Sequence, residues 1–173
     1  MIRYVEKGIC MHEAIRAAGH SLVQHNGQWV ADDDEAVQAI IDGYPLSAAQ
    51  AEVIGHIDQH SKSLRDNVVA TISPAEMASW TIKQAEARAY QSSGNEADAP
   101  MLTIEAAARG VTVADLAEKV LTKGVQLSQL EAVIAGVAGK HCDAVKALTT
   151  FEAVVAYNGH TACPRKVSYG VTP

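Results

Sequence analysis

Between Ser47 and Leu148 the apolar residues return every three or four positions along successive stretches, and such stripes are buried most simply when helices pack on one another. In the first stretch Ile54, Ile57, Leu64, Val68 and Ile72 share a face whose one polar slot is Ser61. Ser47 followed by Gln50 has the spacing of a capping box, and Pro45 discourages an earlier start, so this helix is expected to begin near Ser47. The second stretch opens Ser73-Pro74-Ala75-Glu76, an N-cap serine with proline at the first helical position, where its missing N–H is no loss. The two helices abut at Thr71 to Pro74, which predicts a tight corner and an αα-hairpin with Met77, Trp80, Ala87 and Tyr90 folded back onto the first stripe. A third helix is expected from about Gln126 to Leu148, where Leu127, Leu130, Ile134, Val137, His141, Val145 and Leu148 form a narrow, near-heptad seam. Gly136 and Gly139 lie inside it at about 1 kcal/mol each against alanine, which reads as a close approach by a neighbouring backbone.

The N-terminal portion is mixed. Met1 to Val5 reads as a short strand, and Met11 to Ala18 as a short helix ended by Gly19. Asn26-Gly27, between Ser21–Gln24 and Gln28–Val30, is a hairpin signal because both turn residues tolerate positive φ; it brings Leu22 or Val23 near Trp29. Asp32, Asp33, Asp34 and Glu35 have the look of a cation site, but calcium loops alternate their ligands and add a glycine and a distal glutamate. The run reads better as the start of a helix from Glu35 to Asp42 that carries Val37, Ile40 and Ile41 on one face. Gly43, Tyr44 and Pro45 close this unit.

After Tyr90 the composition turns polar from Ser92 to Ala99, and Pro100 ends that linker. Met101 to Arg109 then reads as a helix stopped by Gly110, and Thr112 to Lys123 as another with Gly124 behind it. Thr149-Thr150-Phe151-Glu152 repeats the capping pattern ahead of Val154 and Val155. Beyond Tyr157, glycine and proline break any regular helix and leave Lys166 to Val171 as a candidate strand in need of a partner edge. The expected organisation is a mainly α protein: a small α/β unit over 1–45 with a β-hairpin around Asn26-Gly27, a helical bundle over 46–157, and a C-terminal arm over 158–173.

With 173 residues the chain is long enough to bury a core without disulfides or a structural metal. A net charge of −6 and the lack of clustered Lys and Arg, apart from Arg165-Lys166, argue against a nucleic-acid partner. Three cysteines, Cys10, Cys142 and Cys163, are an odd count without close pairs and read as reduced thiols made in a cytoplasm. The N-terminus has no signal-peptide pattern, and no apolar run approaches the roughly 20 residues that span a bilayer.

Catalytic and cofactor chemistry find little purchase. His56 and His60 stand four apart on a helix but lack the zincin glutamate and a third ligand, and they read as surface histidines. His141 with Cys142, and His160 with Cys163, could supply soft ligands, but zinc sites show two close ligand pairs at a regular spacing and only the second pair here resembles one. No Gly-x-Ser-x-Gly, P-loop or Gly-x-Gly-x-x-Gly motif occurs. No catalytic residue, metal ligand or cofactor is assigned.

Gly19-His20-Ser21-Leu22, Gln28 to Asp33 and Ala36 to Asp42 resemble the opening of small proteins encoded beside tail-fibre genes in bacteriophages of Gram-negative bacteria. Trp80, Lys83 to Tyr90, Pro100-Met101-Leu102 and Ala106 to Gly110 are similar to the helical region of phage tail proteins, some of them fibre proteins or fibre-assembly factors. The resemblance spans about Met1 to Tyr157 and implies a non-enzymatic virion component at the tail fibre or baseplate, with a fibre-assembly chaperone as the alternative; apart from the resemblance, a metal-dependent enzyme is a distant third reading. The resemblance also implies synthesis in the host cytoplasm and other tail or fibre proteins as partners. The near-heptad seam with its internal glycines and the unpartnered arm lead to the expectation of a homo-oligomer through the bundle, for which the resemblance alone suggests a trimer, or of an arm that docks onto another tail protein. Candidate contact residues are Trp29, Trp80, Tyr90, the seam residues Leu130, Ile134 and Val137, and Arg165, Lys166 and Tyr169 of the arm.

Overall fold

The computed structural model describes residues 2–157. Among them the chain forms, in order, α1 (Ile9–Ala17), β1 (Leu22–His25), β2 (Gln28–Ala31), α2 (Asp34–Gly43), α3 (Leu46–Val69), α4 (Pro74–Ser93), a 3-10 turn (Glu96–Asp98), α5 (Pro100–Arg109), α6 (Val113–Lys146) and α7 (Phe151–Val155). It is a mainly α fold with one small antiparallel hairpin near its N-terminus, as the sequence predicts. The expected arm over 158–173, with its Lys166–Val171 strand, lies outside the described residues.

The described residues divide into two compact units, one combining the N-terminal segment through Lys62 with residues 136–157, the other Ser63–Ala135. The divisions fall inside α3 and α6, whereas the sequence reading placed its boundary at Pro45.

In the first unit Met11 and Ile15 of α1 pack with Val37 and Ile41 of α2 and with Ile2, and Tyr4, Leu22, Trp29 and Tyr44 close over them. Gly19, at φ +87°, ends α1: its N–H reaches the Arg16 carbonyl, and the His20 N–H reaches that of Ile15. Asn26 (φ +51°) and Gly27 (φ +79°) turn the hairpin, whose register pairs Gln24 with Trp29 and Val23 with Val30. Leu22 therefore shares the Trp29 face, while Val23 points to the opposite one. The Asp33 carboxylate accepts from the N–H groups of Glu35 and Ala36, and Asp34 and Glu35 occupy the first turn of α2, so the acidic run serves a helix start. Met1 to Val5 does not provide the expected strand, since residues 2–8 take no regular structure. The Gln38 side chain replaces a strand edge there: its Oε1 accepts from the Arg3 N–H at 2.7 Å and its Nε2 donates to the Arg3 carbonyl at 3.3 Å.

A second cluster in this unit joins Ile57 of α3 to Ala138 and Val145 of α6, with Val53, Ile54, Cys142 and Tyr157 around it. Ser61 is buried, and its hydroxyl donates to the Ile57 carbonyl at 2.9 Å, so the polar slot in the stripe is satisfied by its own helix. α7 begins where Thr150 accepts from the Ala153 N–H, and it buries Val154.

In the Ser63–Ala135 unit, Ser73 caps α4 through the Glu76 N–H, Pro74 takes the first position, and Gly94 at φ +67° ends the helix. Ala87 of α4 packs with Ala99, with Leu102 and Ala106 of α5 and with Val113, Leu116 and Ala117 of α6, and Tyr90 lies against this cluster. The expected hairpin with α3 is therefore not the core that α4 builds; Met77, assigned to that contact, is 38% exposed. The reason is proximity, because α5 returns after one short turn and offers a complementary run of small and branched residues.

The two helices expected over 112–148 are one 34-residue helix, α6, with Gly124 in its interior. A single glycine costs about 1 kcal/mol, too little to stop a helix whose stripe is packed on both sides of it. A Cβ at Gly124 would stand 2.9 Å from the Gln84 side chain, whereas Gly136 and Gly139 are exposed with nothing within 4 Å of theirs. The backbone approach expected at Gly136 and Gly139 is absent there, and at Gly124 it is the Gln84 side chain that comes close. Gly136→Ala and Gly139→Ala should each raise stability by about 0.5–1 kcal/mol in urea unfolding, with no comparable gain from Gly124→Ala. A loss at either outer position would restore the close-approach reading.

Candidate functional site

The first unit contains a cleft of about 320 Å³ between the segment from Tyr4 to His12, the N-terminal half of α3, and the end of α7. Ala49, Ile57 and Val154, all buried, give it an apolar floor. Its polar wall starts from an uncapped helix. Gly8 precedes α1 and has no side chain to offer, so Glu52 of α3 takes that role: its Oε1 accepts from the Ile9 N–H at 3.0 Å and its Oε2 from the Cys10 N–H at 2.9 Å. Gly8 has φ +99°, and a Cβ there would lie 2.5 Å from Glu52 Oε2, so glycine is required twice over.

Tyr4 and His12 share a hydrogen bond of 2.9 Å on the same wall, and the Tyr4 ring stacks on Trp29 at 4.1 Å between centroids. Burial, followed by the charge of Glu6, pushes the Tyr4 phenol above its usual range. Across the cleft, Tyr157 is held by His141 Nδ1 at 2.8 Å. Lys7 is only 7% exposed; its ammonium donates to the carbonyls of Ile41 at 2.6 Å and Tyr44 at 3.5 Å and lies 4.3 Å from the centre of the Phe151 ring. The Cys10 thiol is pushed up by burial and then by Glu52, which disfavours the thiolate that a nucleophile needs.

The second unit carries an open groove of about 760 Å³. Gln84, Arg88 and Gln91 line it from one face of α4, and Leu121, Gly124, Val125 and Ser128 from one face of α6. α4 is bolted to α5 beside it: Glu105 accepts from Lys83 at 2.6 Å and from Arg109 at 2.9 Å. Those two cations, Lys83 first, hold the Glu105 carboxyl below the usual carboxylate range.

Of the candidate contact residues, Trp29 is half-buried in the Tyr4 stack, Trp80 is half-buried on α4, and Tyr90 packs against its own core. Leu130 and Ile134 are buried and Val137 is half-buried, so the seam is largely spent within one chain. Arg165, Lys166 and Tyr169 lie outside the described residues, as do His160 and Cys163. His56 is exposed and His60 half-buried; among the described residues no three His, Cys, Asp or Glu gather as a metal site requires, and no helix is long and apolar enough to cross a membrane. Sequence reasoning missed Tyr4, Lys7, His12 and Glu52. One signal was available: α1 starts after a glycine, without Ser, Thr, Asp or Asn, which requires a cap from elsewhere.

No protein family, curated protein or solved structure matches this chain.

The lowered Glu105 carboxyl carries a pH signature. Its folded-state value lies below its unfolded one, so its contribution is full above the usual carboxylate range and is lost as pH falls through the folded value. The difference in unfolding free energy between the native chain and Glu105→Gln should be flat at neutral pH and shrink under acid; a difference that stays constant down to about pH 2 would show that the bridge adds nothing.

Proposed function

We propose that the chain is a non-enzymatic bacteriophage tail protein, a virion component at the tail fibre or baseplate. The observation that supports this most is the open groove between α4 and α6 in the second unit. Gln84, Gln91, Gln126 and Gln129 offer amide donors and acceptors suited to the backbone of a docked segment, and Val125, 56% exposed, adds apolar contact. Polar side chains of the first unit's cleft also have structural work, Glu52 at a helix end and Tyr157 with His141, which favours a structural over a catalytic role. The likeness of Gly19 to Asp42 and of Trp80 to Gly110 to tail-fibre-associated proteins supplies the biological setting. The groove, rather than the buried seam of α6, is the surface offered to a fibre or baseplate partner.

Mass spectrometry of purified particles of the encoding phage should find the chain at fixed stoichiometry, and Val125→Glu should lower its incorporation several-fold without changing its own fold. Absence from particles together with fibre binding in the infected cell would give the assembly-chaperone reading instead. Absence from both would end the tail assignment.

A further inference from the structure

The cleft of the first unit retains binding capacity beyond its helix-capping work. A carboxylate has about four acceptor positions; on Glu52 the N–H groups of Ile9 and Cys10 take two and the Cys10 thiol a third, which leaves one open. Glu6 lines the same cleft and is exposed. The lining includes a single lysine or arginine, Lys7, whose ammonium is already committed to the carbonyls of Ile41 and Tyr44 and to the Phe151 ring. Hydrogen bonds to neutral carbonyls leave the Lys7 charge in place, so the lining sets the carboxylates of Glu6 and Glu52 against one ammonium, and the acidic excess is felt by neighbouring groups: Glu6 contributes to raising Tyr4, while Glu52 and Glu13 contribute to raising Cys10 and Tyr44. Beneath this wall the floor of Ala49, Ile57 and Val154 is apolar, and Tyr4, His12 and Tyr157 set aromatic rings around it.

Carboxylates, aromatic side chains and apolar residues lining one cleft fit one chemistry better than others. An anion would meet Glu6 and Glu52, and a bare metal ion would lack a third ligand of the His, Cys, Asp or Glu type among the described residues. We propose that this cleft binds an organic cation, an ammonium or guanidinium on a short apolar stem. The group comes either from a free amine or from the lysine or arginine side chain of a docked protein, and the proposal does not depend on the tail assignment.

Amide NMR of the full chain, titrated with n-butylguanidinium, n-butylammonium, butyrate and 1-butanol, tests it. The two cations should shift Gly8, His12 and Tyr157 with affinity on the order of 1 mM, as suits ligands of this size. Butyrate and butanol should not. Glu6 is exposed and can be changed without threatening the fold, so Glu6→Gln should weaken the cations by about threefold and Glu6→Lys by about tenfold or more. A blocked Gly-Arg-Gly peptide that binds at least as tightly as n-butylguanidinium would identify a protein side chain as the source; a peptide excluded while n-butylguanidinium binds would identify a free amine. The proposal is overturned if butyrate or butanol shifts these residues equally, if no cation does, or if Glu6→Lys binds as the native chain does.

Discussion

A helix leaves its first N–H and last C=O groups without partners, and among the described residues three such ends are met by side chains borrowed from other helices. Glu52 of α3 accepts from the first two N–H groups of α1. Glu86 of α4 accepts from the Leu102 N–H at the start of α5, a helix preceded by Ala99, which has no capping group. Gln50 Nε2 donates to the carbonyls of Val145, Lys146 and Leu148 at the end of α6, the last at 2.9 Å. A missing cap costs about 1 kcal/mol, and charged acceptors are worth more, so these contacts are comparable to burying a methylene or two. Gln50 and Glu52, two positions apart on α3, tie this helix to both chain-distant parts of the first unit, which is why no unit boundary follows Pro45.

The elements that announced themselves in the sequence are those whose signals act over a few residues. Ser73-Pro74, Asp33, Thr150, Asn26-Gly27, Gly19 and Gly110 each do locally what their chemistry predicts. The misreadings involve partners far along the chain. Gln50 has capping-box spacing to Ser47, yet its amide bonds a carbonyl 95 residues away. Gly124 looks like a helix stop, and only the presence of Gln84 on another helix shows it to be a point of close approach. Met77 and Trp80 have the period of a stripe, but period alone does not say which neighbour will cover it. The cleft was illegible for the same reason: Tyr4, Glu52 and Tyr157 converge only because α3 gathers the two ends of the described chain.

Each unit presents a different kind of surface. The first encloses a small, acidic, aromatic cleft whose shape depends on a helix cap, and the second an amide-rich groove between α4 and α6, beside the Lys83–Glu105–Arg109 bridge that ties α4 to α5. A groove of that form suits a segment of another protein, whereas the cleft suits one cationic group.

Borrowed caps hold the helix ends, and amide hydrogen exchange in Glu52→Gln measures that hold at α1. A neutral amide keeps the size of the glutamate but presents one acceptor oxygen in place of two, so at least one of the Ile9 and Cys10 N–H groups loses its partner. Exchange there should quicken by about tenfold, the equivalent of about 1.4 kcal/mol, while Leu102, capped by Glu86, keeps its native rate. Unchanged exchange at both Ile9 and Cys10 would contradict the account.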